Sequence, residues 1–306
     1  MSLYSLNAAA IITLIVALTP GCGQRESVPI VDTHIHLYDT TRDGGVPWPP
    51  ESDTVLYRPV LPPDWARVCD ENGITATVIV EASTLLADNQ WVLDLVKDEP
   101  ERYIGLVGSL ELGTPDFAAN LKALSADPRF VGIRMRDRPR GADFFNDAVW
   151  RDLKLMADRD QTLDVLMANF TLEDVDRIAQ RIPTLKILVN HVAGAVIDGK
   201  PLDPAWAQSL AQAARNPNVY CKVSGLFQQS RRQPSPTDLE FYKPVLDELW
   251  KVFGEDRLIY GSNWPVTLRG GSYASYKAVV FEFLEPKGQT AMEKVLASNA
   301  YQFYGL

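Results

Sequence analysis

The 306-residue sequence predicts a single-domain α/β protein of the (β/α)8 class, a TIM barrel. The first observation is that short β-rich runs alternate with amphipathic stretches after Gln24, which is typical of βαβ units and a parallel sheet. The second is that this alternation repeats eight times over about 280 residues, the size of one such barrel. The third is that Asn72-Gly73, Pro183 and Pro217 end helix-like stretches just before a β-rich run.

The β-rich runs are short and bounded by turn residues, and each is predicted to be a strand. We expect strands over residues 28–36, 74–81, 104–109, 130–134, 162–166, 185–191, 219–224 and 258–262. Stretches with helical periodicity follow most of them, and we expect helices over residues 116–125, 147–159, 172–181, 204–215 and 238–253. In this fold the functional site lies at the carboxyl ends of the strands, where the βα loops meet.

The composition excludes one class of partner. The chain has 39 Asp and Glu against 30 Lys and Arg, a formal net charge of −9. Because phosphate backbones are bound by concentrated positive surfaces, we expect no nucleic-acid partner. Cys69 falls in a predicted helix and Cys221 in a predicted strand, so we expect buried free thiols rather than a disulfide framework.

The N-terminus predicts export. Residues 8–18 are apolar, about the length of a signal-peptide core and short of the roughly 20 residues that cross a bilayer. Cys22 follows in a sequence that resembles a bacterial lipobox, although Pro20 and the absence of Lys or Arg before the apolar run depart from that pattern. We expect a signal peptide over residues 1–22 and a barrel domain over 23–306, in a periplasmic protein or a lipoprotein anchored only through Cys22. The alternative is a cytoplasmic enzyme with an irregular N-terminus.

The chain has three histidines, His34, His36 and His191, and each stands at the end of a predicted strand. His34 and His36 form an H-x-H pair, and residues two apart in a strand share a face at roughly 6 to 7 Å. All three fall at the functional end of the barrel, so we expect them to converge. An imidazole has an ordinary pKa of about 6.5 and exchanges protons near neutrality, which favours a catalytic role. For His191 taken alone, a core histidine bonded to backbone is a serious alternative.

Four motifs in barrel order carry a resemblance to a known family: Asp32-Thr-His34-Ile-His36, Asn190-His191-Val-Ala-Gly194, Lys222-Val-Ser-Gly225 and Gly261-Ser-Asn263-Trp-Pro265. They resemble the amidohydrolase-related family of TIM-barrel hydrolases. Within it the chain is similar to the lactonase branch, which includes L-fuconolactonase and 2-pyrone-4,6-dicarboxylate lactonase. The resemblance spans about residues 28 to 306.

This resemblance implies hydrolysis of a carbonyl–oxygen bond by an activated water. His34 and His36 would hold a metal ion or polarise the carbonyl directly, and His191 would contact the carbonyl or the water. Relatives with a full metal centre place a further histidine on the fifth strand, which here ends at Asn169. Catalytic zinc usually takes three protein ligands, so we expect either no cofactor or a single divalent ion, zinc first, on His34 and His36.

One departure from the family bears on the mechanism. The eighth-strand motif has Asn263 where the family has an aspartate that serves as general base. A neutral amide cannot take a proton from water. Glu81, at the end of the second strand, is the leading substitute base because burial would raise its pKa; His191 is second.

Substrate-binding residues are predicted from the loops and the strand ends. Arg134 closes the fourth strand, and its planar guanidinium suits a carboxylate. Lys222 faces inward by alternation and needs a buried partner, for which Glu81 is expected. Trp48 lies in the long, proline-rich loop after the first strand and is expected to cover the site.

Together these features predict a hydrolase that opens a lactone or ester ring of a small anionic, sugar-acid-like substrate. Two alternatives stay open. Related barrels with the H-x-H pair are metal-dependent decarboxylases, and the substitution at Asn263 also permits a non-catalytic, lipid-anchored ligand-binding protein.

Overall fold

The computed structural model describes residues 28–136 and 144–306, so the predicted signal peptide 1–22 with Cys22 lies outside the described residues. In the described part the fold is a (β/α)8 barrel, as predicted. Its parallel strands hydrogen-bond in chain order: β1 Val31–Ile35, β2 Ala76–Val80, β3 Tyr103–Gly108, β4 Phe130–Met135, β5 Thr162–Val165, β6 Ile187–Val189, β7 Val219–Val223 and β8 Leu258–Tyr260. The ring closes where Ile35 pairs with Trp264 just beyond β8.

Helices separate the strands and cover the barrel. They are α1 Pro62–Asn72, α2 Leu86–Leu95, α3 Phe117–Leu124, α4 Asp147–Ala157, α5 Leu172–Arg181, α6 Pro204–Ala213, α7 Leu226–Gln229, α8 Leu239–Phe253, α9 Tyr273–Leu284, α10 Gln289–Glu293 and α11 Asn299–Tyr304. Local sequence sets several of their ends. Thr171 and Asp174 form a capping box at the start of α5, and Gly73 ends α1 in the left-handed conformation that glycine adopts without strain. Each predicted strand and helix overlaps one of these elements.

The barrel has two apolar layers. The larger lies between strands and helices; the smaller combines inward strand residues such as Val78, Val107 and Leu188 with Phe303 and Tyr304 of α11. The C-terminal segment therefore packs into the interior of the barrel, leaving the carboxyl ends of the strands for the polar residues described below.

Two smaller predictions are also settled. Cys69 and Cys221 are buried free thiols. In the described residues, no helix has the length and apolar character needed to cross a bilayer.

Candidate active site

The three imidazoles lie together at the carboxyl ends of the strands. His34 is in β1, His36 follows it, and His191 lies just beyond β6. The ring centroid of His34 is 5.1 Å from that of His36 and 4.5 Å from that of His191. All three side chains are buried. The structure thus brings together the histidines that the sequence places at separate strand ends.

His36 is held in one tautomer. Its Nδ1 lies 3.0 Å from the carbonyl oxygen of Val80, which only accepts, so Nδ1 carries the proton. Burial lowers the pKa of His36 to about 3, so the ring is neutral and Nε2 has a free lone pair. The amide oxygen of Asn263 lies 3.1 Å from that nitrogen. Nε2 of His36 and the amide oxygen of Asn263 are then both hydrogen-bond acceptors. The contact is favourable when the amide rotates to present its NH2 group, or when a water molecule donates one hydrogen bond to each of the two atoms.

His34 differs from the other two histidines in the surroundings of its ring nitrogens. The His34 backbone N–H donates to Asp32, but Nδ1 and Nε2 are both buried from solvent and hydrogen-bond to none of the residues that the structure describes. Burial, then the charge of neighbouring groups including Lys222, holds the pKa of His34 well below its usual value. Because an unpartnered buried polar group costs about 1–3 kcal/mol, the nitrogens of this ring lower the free energy of unfolding of the protein.

His191 begins a left-handed turn. His191, Val192 and Ala193 have φ values of 53°, 46° and 55°, and Gly194 continues the turn. Such a conformation is unfavourable for residues with a Cβ, and for β-branched Val192 above all. Ser224, just after β7, accepts from the His191 backbone N–H at 3.2 Å and lies 3.0 Å from Nδ1. Burial and the nearby Arg134 hold the pKa of His191 well below its usual value.

Glu81 and Arg134 form a buried ion pair beside the histidines. Arg134 donates from Nε to the Glu81 carboxylate at 2.7 Å and from Nη2 to its carbonyl oxygen at 2.9 Å. Arg136 donates to the other carboxylate oxygen at 3.2 Å. Burial raises the pKa of Glu81, while the two guanidinium groups lower it. Arg134 has a third nitrogen, Nη1, that hydrogen-bonds to none of the described residues.

The partner predicted for Lys222 is wrong. The Lys222 ammonium pairs with Asp164 at 2.8 Å, not with Glu81, and also donates to the carbonyl of Thr33 and the hydroxyl of Tyr304. All three of its protons have acceptors, and its side chain is fully buried. The physical reason is the ring geometry of the barrel, which turns both Asp164 on β5 and Lys222 on β7 toward the interior. The carboxylate of Glu81 is instead paired with Arg134 on β4. Lys222 therefore has no N–H group left for the donation to a substrate that was predicted for it.

Trp48, in the long loop between β1 and α1, packs against one of the three histidines. Its ring centroid is 5.4 Å from that of His36 and 5.4 Å from that of Tyr38, with edge-to-face geometry in both cases. With Trp91 and Arg42 it also lines a small, largely apolar pocket that reaches Glu81. Trp48 is therefore placed where it can contact a substrate bound at the imidazoles.

The donor set does not fit the single divalent ion predicted for His34 and His36. The unpartnered nitrogens of His34 suit a metal ion, but catalytic zinc takes three protein ligands. Within the described part of the chain, no three His, Cys, Asp or Glu side chains converge as a metal site requires. The neutral amide of Asn263 faces His36, and the cationic Arg134 also acts on both His36 and His191.

The sequence analysis assigns no role to three residues that make clear contacts in the structure. Asp32 accepts hydrogen bonds from His34, Ser262 and Tyr273 and so ties β1 to the end of β8. Asp164 neutralises Lys222, and Ser224 supports His191. The available signal was a carboxylate or hydroxyl inside an otherwise apolar strand, because a buried polar group needs a partner.

Comparison with known proteins adds an independent line of observation. The sequence profile of the amidohydrolase family matches residues 31–306. The chain is 31% identical to the L-fucono-1,5-lactonase of Burkholderia ambifaria over 90% of this chain and 94% of that protein. It is 26% identical to the 4-sulfomuconolactone hydrolase of Hydrogenophaga intermedia over 76% of this chain and 74% of that protein. A zinc-bound amidohydrolase structure from Burkholderia multivorans superimposes with a TM-score of 0.80 at 24% identity, covering 91% of this chain and 99% of that one.

Proposed function

The chain belongs to the amidohydrolase family, and from this premise we propose that it is a hydrolase that opens the lactone ring of a small, anionic sugar acid. Two of its relatives are named for the hydrolysis of a lactone. The match to the fuconolactonase extends over nearly the whole barrel, which makes sugar-acid lactones the first class to assay.

The observation that carries the proposal is the packing of three neutral imidazoles against each other beside the guanidinium of Arg134. Opening a lactone requires a hydrogen-bond donor at the carbonyl oxygen and an acceptor for a proton of water. A neutral imidazole has one of each. Several such rings in one buried site supply both functions without a carboxylate at position 263.

In the first step, water attacks the carbonyl carbon and a carbon–oxygen bond forms. His36 Nε2 takes a proton from the water, whose other proton faces the amide oxygen of Asn263. The carbonyl oxygen becomes an oxyanion and accepts a hydrogen bond from His191, while Nη1 of Arg134 binds another oxygen of the substrate equally in the ground state and the transition state. In the second step, the ring carbon–oxygen bond breaks and His36 returns the proton to the departing oxygen. The product is the open hydroxy acid.

We propose that Glu81 positions Arg134 rather than acting as the base. Its carboxylate oxygens accept from Arg134 and Arg136, which leaves it poorly placed to take a proton from water. In Glu81→Gln the guanidinium of Arg134 loses its anchor, so KM rises while kcat changes less than tenfold. A fall in kcat of more than about 100-fold at unchanged KM is the behaviour of a lost base and would assign that role to Glu81.

We propose that hydrolysis proceeds without a metal ion, although the structural relative from Burkholderia multivorans holds zinc. The support is the incomplete donor set around His34 and His36. After dialysis against a chelator, kcat/KM should change less than twofold, and added Zn²⁺ should not raise it. A tenfold loss that Zn²⁺ reverses would replace this proposal with a single-ion mechanism.

The test of the activity is a panel of sugar-acid lactones, beginning with the uncharged L-fucono-1,5-lactone and including lactones that carry a second carboxylate, with acid release followed by a pH indicator. Since lactones hydrolyse spontaneously, His36→Ala measured in parallel gives the background. Acid release above that background supports the proposal. Saturable binding of lactones without turnover would indicate a binding protein instead, and CO2 release from aromatic acids would indicate a decarboxylase.

We further propose that the protein acts outside the cytoplasm, anchored at Cys22. The support is the sequence alone, an apolar run of signal-peptide length followed by a cysteine. Cell fractionation and mass spectrometry of the N-terminus test it. Recovery with membranes, lost in Cys22→Ser, is expected; a cytoplasmic chain that keeps residues 1–22 would contradict it.

A further inference from the structure

We propose that Ser224 is a positioning residue that fixes His191 in the tautomer with its proton on Nε2, so that His191 meets the substrate as a hydrogen-bond donor. The tautomer follows from the contacts around Ser224 and is independent of the reaction. Its catalytic consequence rests on the lactone hydrolysis proposed above.

The hydrogen bonds of Ser224 determine where the proton lies. A backbone N–H only donates, so the Ser224 hydroxyl oxygen accepts from His191 N at 3.2 Å. The hydroxyl proton then needs an acceptor, because Ser224 is fully buried. The acceptor that the described structure offers is Nδ1 of His191, at 3.0 Å. Nδ1 is therefore unprotonated. Since the buried ring is neutral, its one proton is on Nε2.

The backbone holds the ring in this orientation. Gly225, at a φ of 67°, lies against the same edge of the imidazole, and a Cβ there would come within 2.9 Å of Nδ1. Together with the left-handed turn that begins at His191, this fixes the Nδ1 edge against the wall of the barrel. Nε2 hydrogen-bonds to none of the described residues and, unlike the nitrogens of His34, is not sealed from solvent. It is the edge available to a ligand.

The site therefore contains two imidazoles with opposite roles. The carbonyl of Val80 fixes the proton of His36 on Nδ1 and leaves Nε2 as an acceptor. Ser224 fixes the proton of His191 on Nε2 and makes it a donor. One ring can take a proton from water while the other stabilises the developing oxyanion, and neither needs to change tautomer before the reaction.

The tautomers can be read directly by NMR. The full chain has three histidines, so labelling with ¹⁵N-histidine gives six ring nitrogens, and His191→Asn assigns the pair that disappears. At neutral pH we expect His191 to show an unprotonated Nδ1 and a protonated Nε2, and His36 the reverse. A protonated Nδ1 in His191 of the unmodified protein would overturn the proposal, whatever the behaviour of any variant.

Substitution of Ser224 tests the consequence. In Ser224→Ala the ring populates both tautomers, and kcat falls about tenfold with KM nearly unchanged, a fraction of the 10²–10³-fold that loss of a whole oxyanion donor causes. Ser224→Thr keeps the hydroxyl and should retain both the tautomer and kcat. The matched control is Ser235→Ala. Ser235 is a buried serine whose hydroxyl donates to the carbonyl of Phe227, and its substitution should change neither the tautomer of His191 nor kcat.

The outcomes separate this proposal from the proposed function. The expected tautomers in a protein that hydrolyses no lactone would leave the role of Ser224 standing and remove the lactonase assignment. Lactone hydrolysis with His191 protonated on Nδ1 would do the opposite. If Ser224→Ala retained the tautomer and kcat of the unmodified protein, Ser224 would not be a positioning residue.

Discussion

Two buried polar clusters lie one above the other in the barrel, and they differ in how completely they are hydrogen-bonded. The interior cluster is Asp164, Lys222 and Tyr304; the histidine cluster is His34, His36 and His191, one layer nearer the carboxyl ends of the strands. In the interior cluster the ammonium has three acceptors, and the carboxylate accepts from Lys222, Tyr304 and a neighbouring amide. In the histidine cluster the His34 ring has no hydrogen-bond partner among residues 28–136 and 144–306, and Nε2 of His36 faces an acceptor.

We expect this difference between groups that stabilise the fold and groups that bind a ligand. A buried ion pair in which every N–H group already has an acceptor has no donor left with which to bind a substrate. Unsatisfied buried nitrogens lower stability, and such costs concentrate at functional sites. The variants below test this division, from the largest expected effect to the smallest.

The largest effect is expected from breaking the interior cluster. Lys222→Met leaves the carboxylate of Asp164 buried without its cation, so we expect a loss of about 3–5 kcal/mol in the free energy of unfolding, measured by denaturant titration. Adding Asp164→Leu removes the orphaned charge and should restore more than half of that loss. The matched control is Lys154→Met, which breaks an exposed pair with Asp158 and should cost less than about 1 kcal/mol. Equal losses at the two lysines would refute the division.

The next effect separates activity from stability. His34→Leu removes two sealed nitrogens without partners, so we expect unfolding to require about 1–3 kcal/mol more than in the unmodified protein. Catalysis should fall as much as about 100-fold, because the His34 ring packs against His36 and His191 and positions both of them. His36→Leu is the contrasting variant: it loses activity and also stability, because the carbonyl of Val80 is left without a donor. A destabilised His34→Leu would show that this ring has partners in solution and belongs with the satisfied groups.

The fold was predictable because each strand is a short apolar run between turn residues, and that pattern is local. The strand ends were less predictable. The sixth strand was predicted over residues 185–191 but spans Ile187–Val189, since the chain leaves the sheet early to enter the left-handed turn at His191. Nothing in the residues of that turn favours positive φ except Gly194; tertiary contacts around His191 and Ser224 impose it.

The site was predictable as a set of residues but not as a set of contacts. The H-x-H spacing and the position of His191 at a strand end sufficed to bring the three rings together. Alternation also predicted that Lys222 faces inward. It did not identify Asp164 as its partner, because β5 and β7 are not adjacent and the pairing depends on the curvature of the closed sheet. Which residues pair across a barrel depends on how all eight strands close into a ring, and the sequence of one strand does not determine it.

The third effect is the part of the pH dependence of stability that arises from the histidine cluster. Burial lowers the pKa of each ring, so below about pH 6.5 the unfolded chain takes up protons that the folded chain does not. Stability therefore falls as the pH is lowered, by about 1.4 kcal/mol per pH unit for each histidine. Between pH 6 and 4.5, stability should fall less steeply in His34→Leu than in the unmodified protein, by about that amount. Carboxylates titrate alike in both, so equal slopes would mean that His34 has an ordinary pKa when folded.

The smallest effect is expected at Asn263, where the resemblance to the amidohydrolase-related family leads us to expect an aspartate. Asn263→Asp places a carboxylate 3.1 Å from Nε2 of His36, where it can share the proton taken from water. We expect kcat/KM on an identified lactone to rise threefold to tenfold, roughly, well below the 10²–10⁴ that a general base contributes, because His36 already accepts that proton. Asn263→Ala, which cannot bind the water, should lower kcat/KM instead. If neither substitution changed the rate, the space between Nε2 of His36 and Asn263 would not be where the attacking water binds.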